Sequence, residues 1–347
     1  MRGLGVDLGD IVLRKTISLD SLNGRTLAID GYNTLYQFLA IIRQPDGTPL
    51  KDHSGRITSH LSGLLYRTSN LAEKGIRLVY VFDGKPPELK ETEILRRKAV
   101  KDEATVKYEE SLRRGDLREA RKYSQMTSRL RDSMVEDAKF LLDALGIPWV
   151  QAPSEGEAQA AYMAARGDVW AVASQDHDSL LFAAPRLVRN LAVTGRRKLP
   201  RKDLYIEIEP ELIELERVLV ELGISREQLV DLGILIGTDF NPDGIKGIGP
   251  KKALKMLKET TSQQALENLL REAAAPNDFA EIRRIFLTPE VTEDYRLEWR
   301  SPDSNAVVKF LCNERDFSKE RVMNAIEKMQ SGFKETKEKK TLDSFFG

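Results

Sequence analysis

Seven carboxylates hold the chemistry open to this chain. Asp30, Asp83 and the pair Asp176 and Asp178 each lie just past a short apolar run: Thr26-Leu27-Ala28-Ile29, Leu78-Val79-Tyr80-Val81-Phe82 and Val169-Trp170-Ala171-Val172-Ala173. Glu155 and Glu157 fall in Pro153-Ser154-Glu155-Gly156-Glu157, which opens a helical stretch. Ser154 is its candidate N-cap, and acids are favoured in a first turn by the helix dipole. Asp239 follows the apolar stretch 228–236 in the turn Gly237-Thr238-Asp239. Any one strand-end Asp alone reads as a turn or cap residue. Seven acids brought together repel one another unless cations neutralise them, so the set points to metal ions. Oxygen ligands suit Mg²⁺ or Mn²⁺. Two such ions about 3.5–4 Å apart can activate a water and stabilise the leaving oxygen of a phosphodiester.

Other metal chemistries are poorly served. Cys312 is the only cysteine, which excludes an internal disulfide and a Cys-based zinc or iron–sulfur site and fits a reducing compartment. His53, His60 and His177 form no HxxxH or HExxH spacing. His177, between Asp176 and Asp178, reads as an outward-facing spacer rather than a ligand.

The elements that must position these acids alternate. Strands end at Asp30 and Asp83, a third covers 148–150, and a fourth ends near Asp176; helical stretches at 33–42, 58–74, 132–145 and 155–166 separate them. Continuous apolar strands alternating with helices predict an α/β fold with a mostly parallel central sheet flanked by helices. In open sheets of this kind ligands bind beyond the carboxyl ends of the strands, where these acids fall. For 347 residues the length allows two domains or one large domain with insertions. We expect a single domain over 1–330, with an insertion at 86–131, and a tail over 331–347. The insertion looks helical, lacks an apolar stripe and is rich in Arg and Lys, which reads either as a solvated helix pair or as a functional basic surface. After residue 200 the chain reads as mainly helical. Residues 332–347 are Lys-rich and aperiodic until the last six, as in a mobile tail.

Basic and acidic residues balance at 54 each, so nucleic-acid binding must be argued from local patches. No apolar run approaches the ~18 residues of a membrane span, and no signal pattern opens the chain; the expectation is an intracellular protein without membrane association. One local patch stands out. In Gly244-Ile245-Lys246-Gly247-Ile248-Gly249-Pro250-Lys251-Lys252-Ala253, Gly247 and Gly249 expose backbone N–H groups, Pro250 opens a helix, and Lys251 and Lys252 add charge. Such a hairpin binds a DNA phosphate without reading sequence; the alternative is a Gly-rich connection between helices. At the other end, Leu342, Phe345 and Phe346 fall on one side of a helical turn in an otherwise hydrophilic tail, as a docking plug or a terminal core element.

Ile29-Asp30-Gly31, Val81-Phe82-Asp83-Gly84-Lys85-Pro86-Pro87, Pro153-Ser154-Glu155-Gly156-Glu157-Ala158, Gln175-Asp176-His177-Asp178 and Gly237-Thr238-Asp239 together resemble the motif set of the flap endonuclease family, in order and spacing over nearly the whole chain. The resemblance implies a structure-specific 5′ flap endonuclease with 5′-3′ exonuclease activity, acting on branched DNA in replication (Okazaki fragment processing) and repair. It assigns Asp30, Asp83, Glu155, Glu157, Asp176, Asp178 and Asp239 as direct or water-mediated ligands of two Mg²⁺, with Mn²⁺ as a substitute. It makes 86–131 a helical arch, with Lys90 and Arg97 reaching the scissile phosphate, and matches Tyr36 to an aromatic that stacks on a substrate base, against a core role. It makes 228–260 a helix–two-turn–helix element on duplex DNA, with K⁺ bound there. The tail looks like a sliding-clamp (PCNA) box whose usual Gln is Lys339. A monomer is implied, cytoplasmic, or nuclear if eukaryotic; the short tail is closer to archaeal members. The family's usual start matches Gly5-Val6-Asp7-Leu8, so residues 1–4 look like an extension near the site, or the true start lies elsewhere. Two alternatives stay open: a non-catalytic DNA-junction binder, and a related 5′ nuclease with another substrate, such as an exonuclease or a bubble or junction nuclease.

Overall fold

The computed structural model describes residues 5–44, 46–191, 195–198, 205–260 and 278–346. Its strands are β1 (Lys15–Thr16), β2 (Thr26–Asp30), β3 (Arg77–Phe82), β4 (Trp149–Gln151), β5 (Ala171–Ala173), β6 (Arg186–Arg189), β7 (Gly195–Lys198), β8 (Tyr205–Ile208) and β9 (Glu211–Glu214). Its α-helices are α1 (Gly31–Ile41), α2 (Ser59–Glu73), α3 (Glu91–Arg113), α4 (Leu117–Ser124), α5 (Asp132–Ala144), α6 (Gly156–Ala165), α7 (Asp178–Leu181), α8 (Leu215–Leu222), α9 (Arg226–Ile236), α10 (Pro250–Glu259), α11 (Phe279–Leu287), α12 (Ser304–Val308) and α13 (Lys319–Phe346). The chain forms two compact units, each from three separated pieces. The first comprises Met1–Ser18, Asp83–Ile94 and Gln151–Glu293; the second comprises Leu19–Phe82, Leu95–Val150 and Asp294–Gly347.

In the first unit β5 and β6 run parallel, pairing Val172 with Leu187 and Ala173 with Val188. β9 adds antiparallel to β6, and β1 antiparallel to β9. β7 and β8 pair as a separate antiparallel ribbon. The apolar runs of β5 and α9 supply the core: Ala171, Val172, Leu229, Val230, Leu232, Ile234 and Leu235 are buried. Phe286 of α11 packs between Phe182 and Phe240, with ring centroids at 4.8 and 5.4 Å. Helix α9 begins on a full capping box in which Ser225 and Gln228 satisfy each other's backbone N–H groups.

In the second unit β2 and β3 run parallel with Leu27 opposite Leu78 and Ile29 opposite Tyr80, and β4 lies beside β3. Every β3 residue after Arg77 is buried, which is why its apolar run is continuous rather than alternating. Tyr80 is buried but its hydroxyl meets Thr68 Oγ1 of α2 at 2.9 Å, so no polar atom is stranded there. Two close helix approaches depend on absent side chains. A Cβ on Gly63 of α2 would fall 2.2 Å from the Phe38 ring of α1, and one on Gly332 of α13 would fall 1.8 Å from the Ala72 carbonyl oxygen.

The parallel α/β expectation is met by β2–β3 and β5–β6, while the antiparallel β9 and β1 make the first unit's sheet mixed. Residues 205–208 and 211–214 are strands rather than helix; these four-residue runs carry β-branched Ile and an aromatic Tyr, which suit a strand, and are too short to show a helical period. The insertion at 86–131 is helical, as α3 and α4, and Leu95, Val106 and Leu117 are more than half exposed along it. The backbone of the expected tail continues α13 to Phe346, consistent with strong helix formers such as Lys and Glu along it. The side chains of Leu342, Phe345 and Phe346 lie outside the described residues.

The imidazole of His60, in the first turn of α2, is fully buried, and neither ring nitrogen meets a protein partner. Burial, with the Arg315 guanidinium as a second cause, lowers its pKa to about 4. Because the folded value lies below the unfolded 6.5, the neutral ring supports the fold fully above pH 6.5 and that support is lost as pH falls toward 4. The loss is on the order of 3 kcal/mol. His60→Leu should therefore flatten the pH 6.5-to-4 slope of chemical-denaturation stability; an unchanged slope would assign the acid sensitivity elsewhere.

Candidate metal centre

Asp83 follows directly on β3, and its neighbour Gly84 lies so close to the 152–154 backbone that a Cβ would fall 2.3 Å from Ala152 O. Gly84 N–H donates to Ser154 O at 2.6 Å and Lys85 N–H to Pro153 O at 3.2 Å. This zipper places Asp83 at the start of α6, where its Oδ1 accepts the Gly156 N–H at 2.6 Å. A carboxylate at that end gains from unpaired N–H groups and the dipole. Glu155 is the N-cap residue of α6 and Glu157 lies in its first turn. Glu157 Oε1 accepts from the Ser174 hydroxyl at 2.6 Å. Ser174 Oγ also accepts the Asp176 N–H at 3.2 Å.

Asp239 is presented by a turn folded tightly enough to require its glycines. Gly237 has φ +110°, and a Cβ on Gly244 would lie 2.4 Å from the Ile236 carbonyl carbon. Thr238 donates both its N–H, at 3.2 Å, and its hydroxyl, at 2.7 Å, to Asn241 Oδ1. Asp178 opens α7 and is buried.

Lys90 occupies the middle of this group. Its ammonium lies 2.6 Å from Glu155 Oε2 and 3.4 Å from Asp239 Oδ2, with all three side chains no more than 15% exposed. Burial opposes the lysine charge, but Glu155, Asp239 and Asp83 outweigh it, and its pKa is raised. Glu155 moves up as well, through burial first, with Asp83 adding to it against the pull of Lys90. Asp178 is pushed up by burial and by the neighbouring Asp239 charge, against the Val6 N–H that favours its anion. The residues fit divalent cations on this ground: Glu155 and Asp178 are pushed up by burial and by neighbouring carboxylate charge, and Glu155 and Asp239 already gather around a positive charge, here the chain's own. Among the described residues no three His, Cys, Asp or Glu form a ready-made cage.

The structure thus brings Asp83, Glu155 and Asp239 together at Lys90, with Glu157 and Asp176 joined through Ser174. Asp30, Tyr36 and Arg97 belong to the second unit. Asp30 ends β2 and caps α1, accepting the Asn33 N–H at 2.9 Å. Tyr36 on α1 is half-buried rather than core, and the Lys101 ammonium of α3 lies 4.3 Å from its ring centroid. Arg97 is half-buried on α3. In the hairpin before α10, Gly249 is the N-cap and Pro250 the first helical residue, Gly247 has φ +82°, and a Cβ on Gly247 or Gly249 would meet nothing within 4 Å. Lys251 and Lys252 are exposed beside them.

His177 corrects its reading as an outward spacer: it is only 4% exposed, and its Nδ1 lies 3.3 Å from Val6 O. Sequence reasoning also missed Ser174 and the particular contacts of Gly5 and Val6, although the resemblance put the start at Gly5 near the site. Ser174 carried a signal, as a hydroxyl between the β5 run and Asp176; the N-terminal contacts, 172 and 234 positions apart, carried none.

The class follows from two matches: residues 2–104 to the XPG N-terminal domain and residues 146–239 to the XPG I-region. The chain is 62% identical to a flap endonuclease 1 of Hyperthermus butylicus, covering 96% of each, and 55% identical to one of Thermococcus onnurineus, covering 99% of each. The structure of flap endonuclease-1 from Methanococcus jannaschii superposes with a TM-score of 0.75 at 44% identity, covering 94% of this chain and 98% of that one. The chain belongs to the flap endonuclease 1 family. It is a nuclease acting on phosphodiester bonds of DNA. Among the described residues no helix is long and apolar enough to cross a membrane.

Proposed function

We propose that this protein cuts 5′ single-stranded flaps at duplex junctions, and degrades DNA 5′-3′ from ends, by two-metal-ion hydrolysis in Okazaki fragment processing and repair. The observation that carries the mechanism is the buried cation position at Lys90, walled by Glu155 and Asp239 with Asp83 on the α6 N-terminus. Two Mg²⁺, or Mn²⁺ in their place, supply water activation and stabilisation of the leaving oxygen when bound. Asp30, Asp83, Glu155, Glu157, Asp176, Asp178 and Asp239 hold them directly or through water. Lys90 and Arg97 orient the scissile phosphate and oppose charge building on it. Tyr36 offers its ring to a base, a role in which Lys101 must give up the face it now covers. The decisive assay is cleavage of a 5′-flap duplex in Mg²⁺ against EDTA, with product ends mapped; metal-independent cutting, or cuts away from the junction, would reject the proposal.

The hairpin before α10 grips the duplex backbone and is the place for a K⁺ ion. Its open glycines admit a phosphate to the backbone N–H groups. Gly247→Val with Gly249→Val should weaken duplex binding about tenfold irrespective of sequence, since valine resists φ +82° and fills the approach. Equal affinity across salt concentrations would make the hairpin a structural turn. The tail binds a sliding clamp through Leu342, Phe345 and Phe346. Phe345→Ala with Phe346→Ala should abolish clamp stimulation and spare basal cleavage, because compact apolar anchors dominate such interfaces; stimulation that survives both changes would place the contact elsewhere.

A further inference from the structure

The N-terminal segment is built into the carboxylate group. Val6 N–H donates to Asp178 Oδ1 at 2.6 Å, and Gly5 N–H donates to Asp239 Oδ1 at 3.2 Å. The other oxygen of Asp239, Oδ2, is the one that faces the Lys90 ammonium at 3.4 Å. One carboxylate is therefore turned by a backbone donor on one side and presents its second oxygen to the cation position on the other. The same Val6 residue is held from both directions. Its carbonyl oxygen meets His177 Nδ1 at 3.3 Å while its N–H goes to the adjacent Asp178. A carbonyl can only accept, so Nδ1 carries the proton in this contact.

The segment has little freedom to move away. Val6 and Leu8 are buried, and Ile11 and Val12 both donate to Leu8 O at 3.0 Å, closing a turn behind it. No side chain fits at position 5. Gly5 has φ +79°, and a Cβ there would stand 2.8 Å from Asp178 Oδ1 and 2.9 Å from both its Cγ and Oδ2. The glycine is required by its neighbour as much as by its backbone angle.

From these contacts we infer that Gly5, Val6 and His177 form a backbone clasp that sets the orientation of Asp178 and Asp239 for metal binding, with Gly5 and His177 as positioning residues. Two like charges would otherwise turn apart. Supports of this kind typically tune metal affinity by about 10–100-fold when removed. The inference rests on the proposal that Asp178 and Asp239 serve divalent ions.

The test uses the full chain without DNA and follows Mn²⁺ binding by electron paramagnetic resonance, alongside the Mg²⁺ concentration for half-maximal flap cleavage. Gly5→Ala and His177→Leu should each weaken Mn²⁺ binding about tenfold and raise the Mg²⁺ requirement to match. His177→Asn, whose amide nitrogen can stand in for Nδ1, should restore most of both. Melting temperatures in EDTA separate folding from positioning: a variant with lowered melting temperature but wild-type Mn²⁺ affinity would overturn the clasp and leave a structural role. Wild-type affinity in Gly5→Ala and His177→Leu together would overturn it equally. If the wild-type chain itself binds no Mn²⁺ while Asp178→Ala behaves identically, the metal reading fails and takes the inference with it.

Discussion

Replacing Asp178 with alanine is expected to lower flap cleavage by about 10³-fold or more, since stabilisation by bound ions is worth several kcal/mol of the barrier. Binding of the flap substrate in EDTA should be nearly unchanged. The carboxylate contributes nothing attractive to a phosphate backbone, and the hairpin glycines and lysines are separate from it in the chain. Stability should move the other way. Asp178 is buried beside Asp239, and burial together with that neighbouring charge already disfavours its anion. Removing a strained functional charge commonly stabilises a fold. Asp178→Asn, which keeps an oxygen for the Val6 N–H, should melt at or above the wild-type temperature in metal-free buffer while being as inactive as the alanine variant. Single-turnover cleavage and thermal melts in EDTA give both numbers. Wild-type rates in Mg²⁺ would remove Asp178 from the metal site.

Lys90→Ala should lower single-turnover cleavage about 10²–10³-fold, as for loss of a donor aimed at transition-state charge. It should also have an effect that no ordinary phosphate contact would show. In the metal-free protein this ammonium is the counter-ion of Glu155 and Asp239, and the pair with Glu155 is nearly buried, at 14% and 13% side-chain exposure. Breaking such a pair from one side typically costs about 3–5 kcal/mol, because the remaining charge is left uncompensated. Lys90→Ala should therefore melt well below wild type in EDTA. Added Mg²⁺ should recover more melting temperature in the variant than in wild type, since an ion that binds only the folded state stabilises it by mass action. Arg97→Ala, on α3 in the second unit, should lose rate without that metal-dependent loss of stability. Equal Mg²⁺ responses in wild type and Lys90→Ala would mean that lysine and metal do not share a site.

Much of this was legible in the sequence, for identifiable reasons. β2, β3 and β5 are buried on both faces, so they appear as unbroken apolar runs, and the acids past them stand out. The Gly-rich hairpin was legible because glycine, Pro250 and paired lysines each carry a local constraint. β8 and β9 were missed because four-residue strands between polar turns leave too short a pattern. The place of Lys90 was not readable by spacing; a lysine on a polar helical insertion looks solvated until the fold sets Glu155 and Asp239 against it. His177 was misread for a related reason. Its neighbours are two acids, so local polarity suggested solvent, whereas its actual surroundings come from Val6, 171 positions earlier.

The interleaving of the first unit also governs when the enzyme can exist. Gly5 leaves the ribosome 234 positions before its partner Asp239. The last piece of that unit ends at Glu293. At typical elongation rates the delay is on the order of 15–60 s. Throughout that interval Val6 and Leu8, buried in the finished fold, lack the rest of the unit that covers them. The nascent chain carries Asp83 and Lys90 for most of this time without Asp239. Under the proposed metal reading, chains abandoned before Asp239 lack a complete carboxylate site.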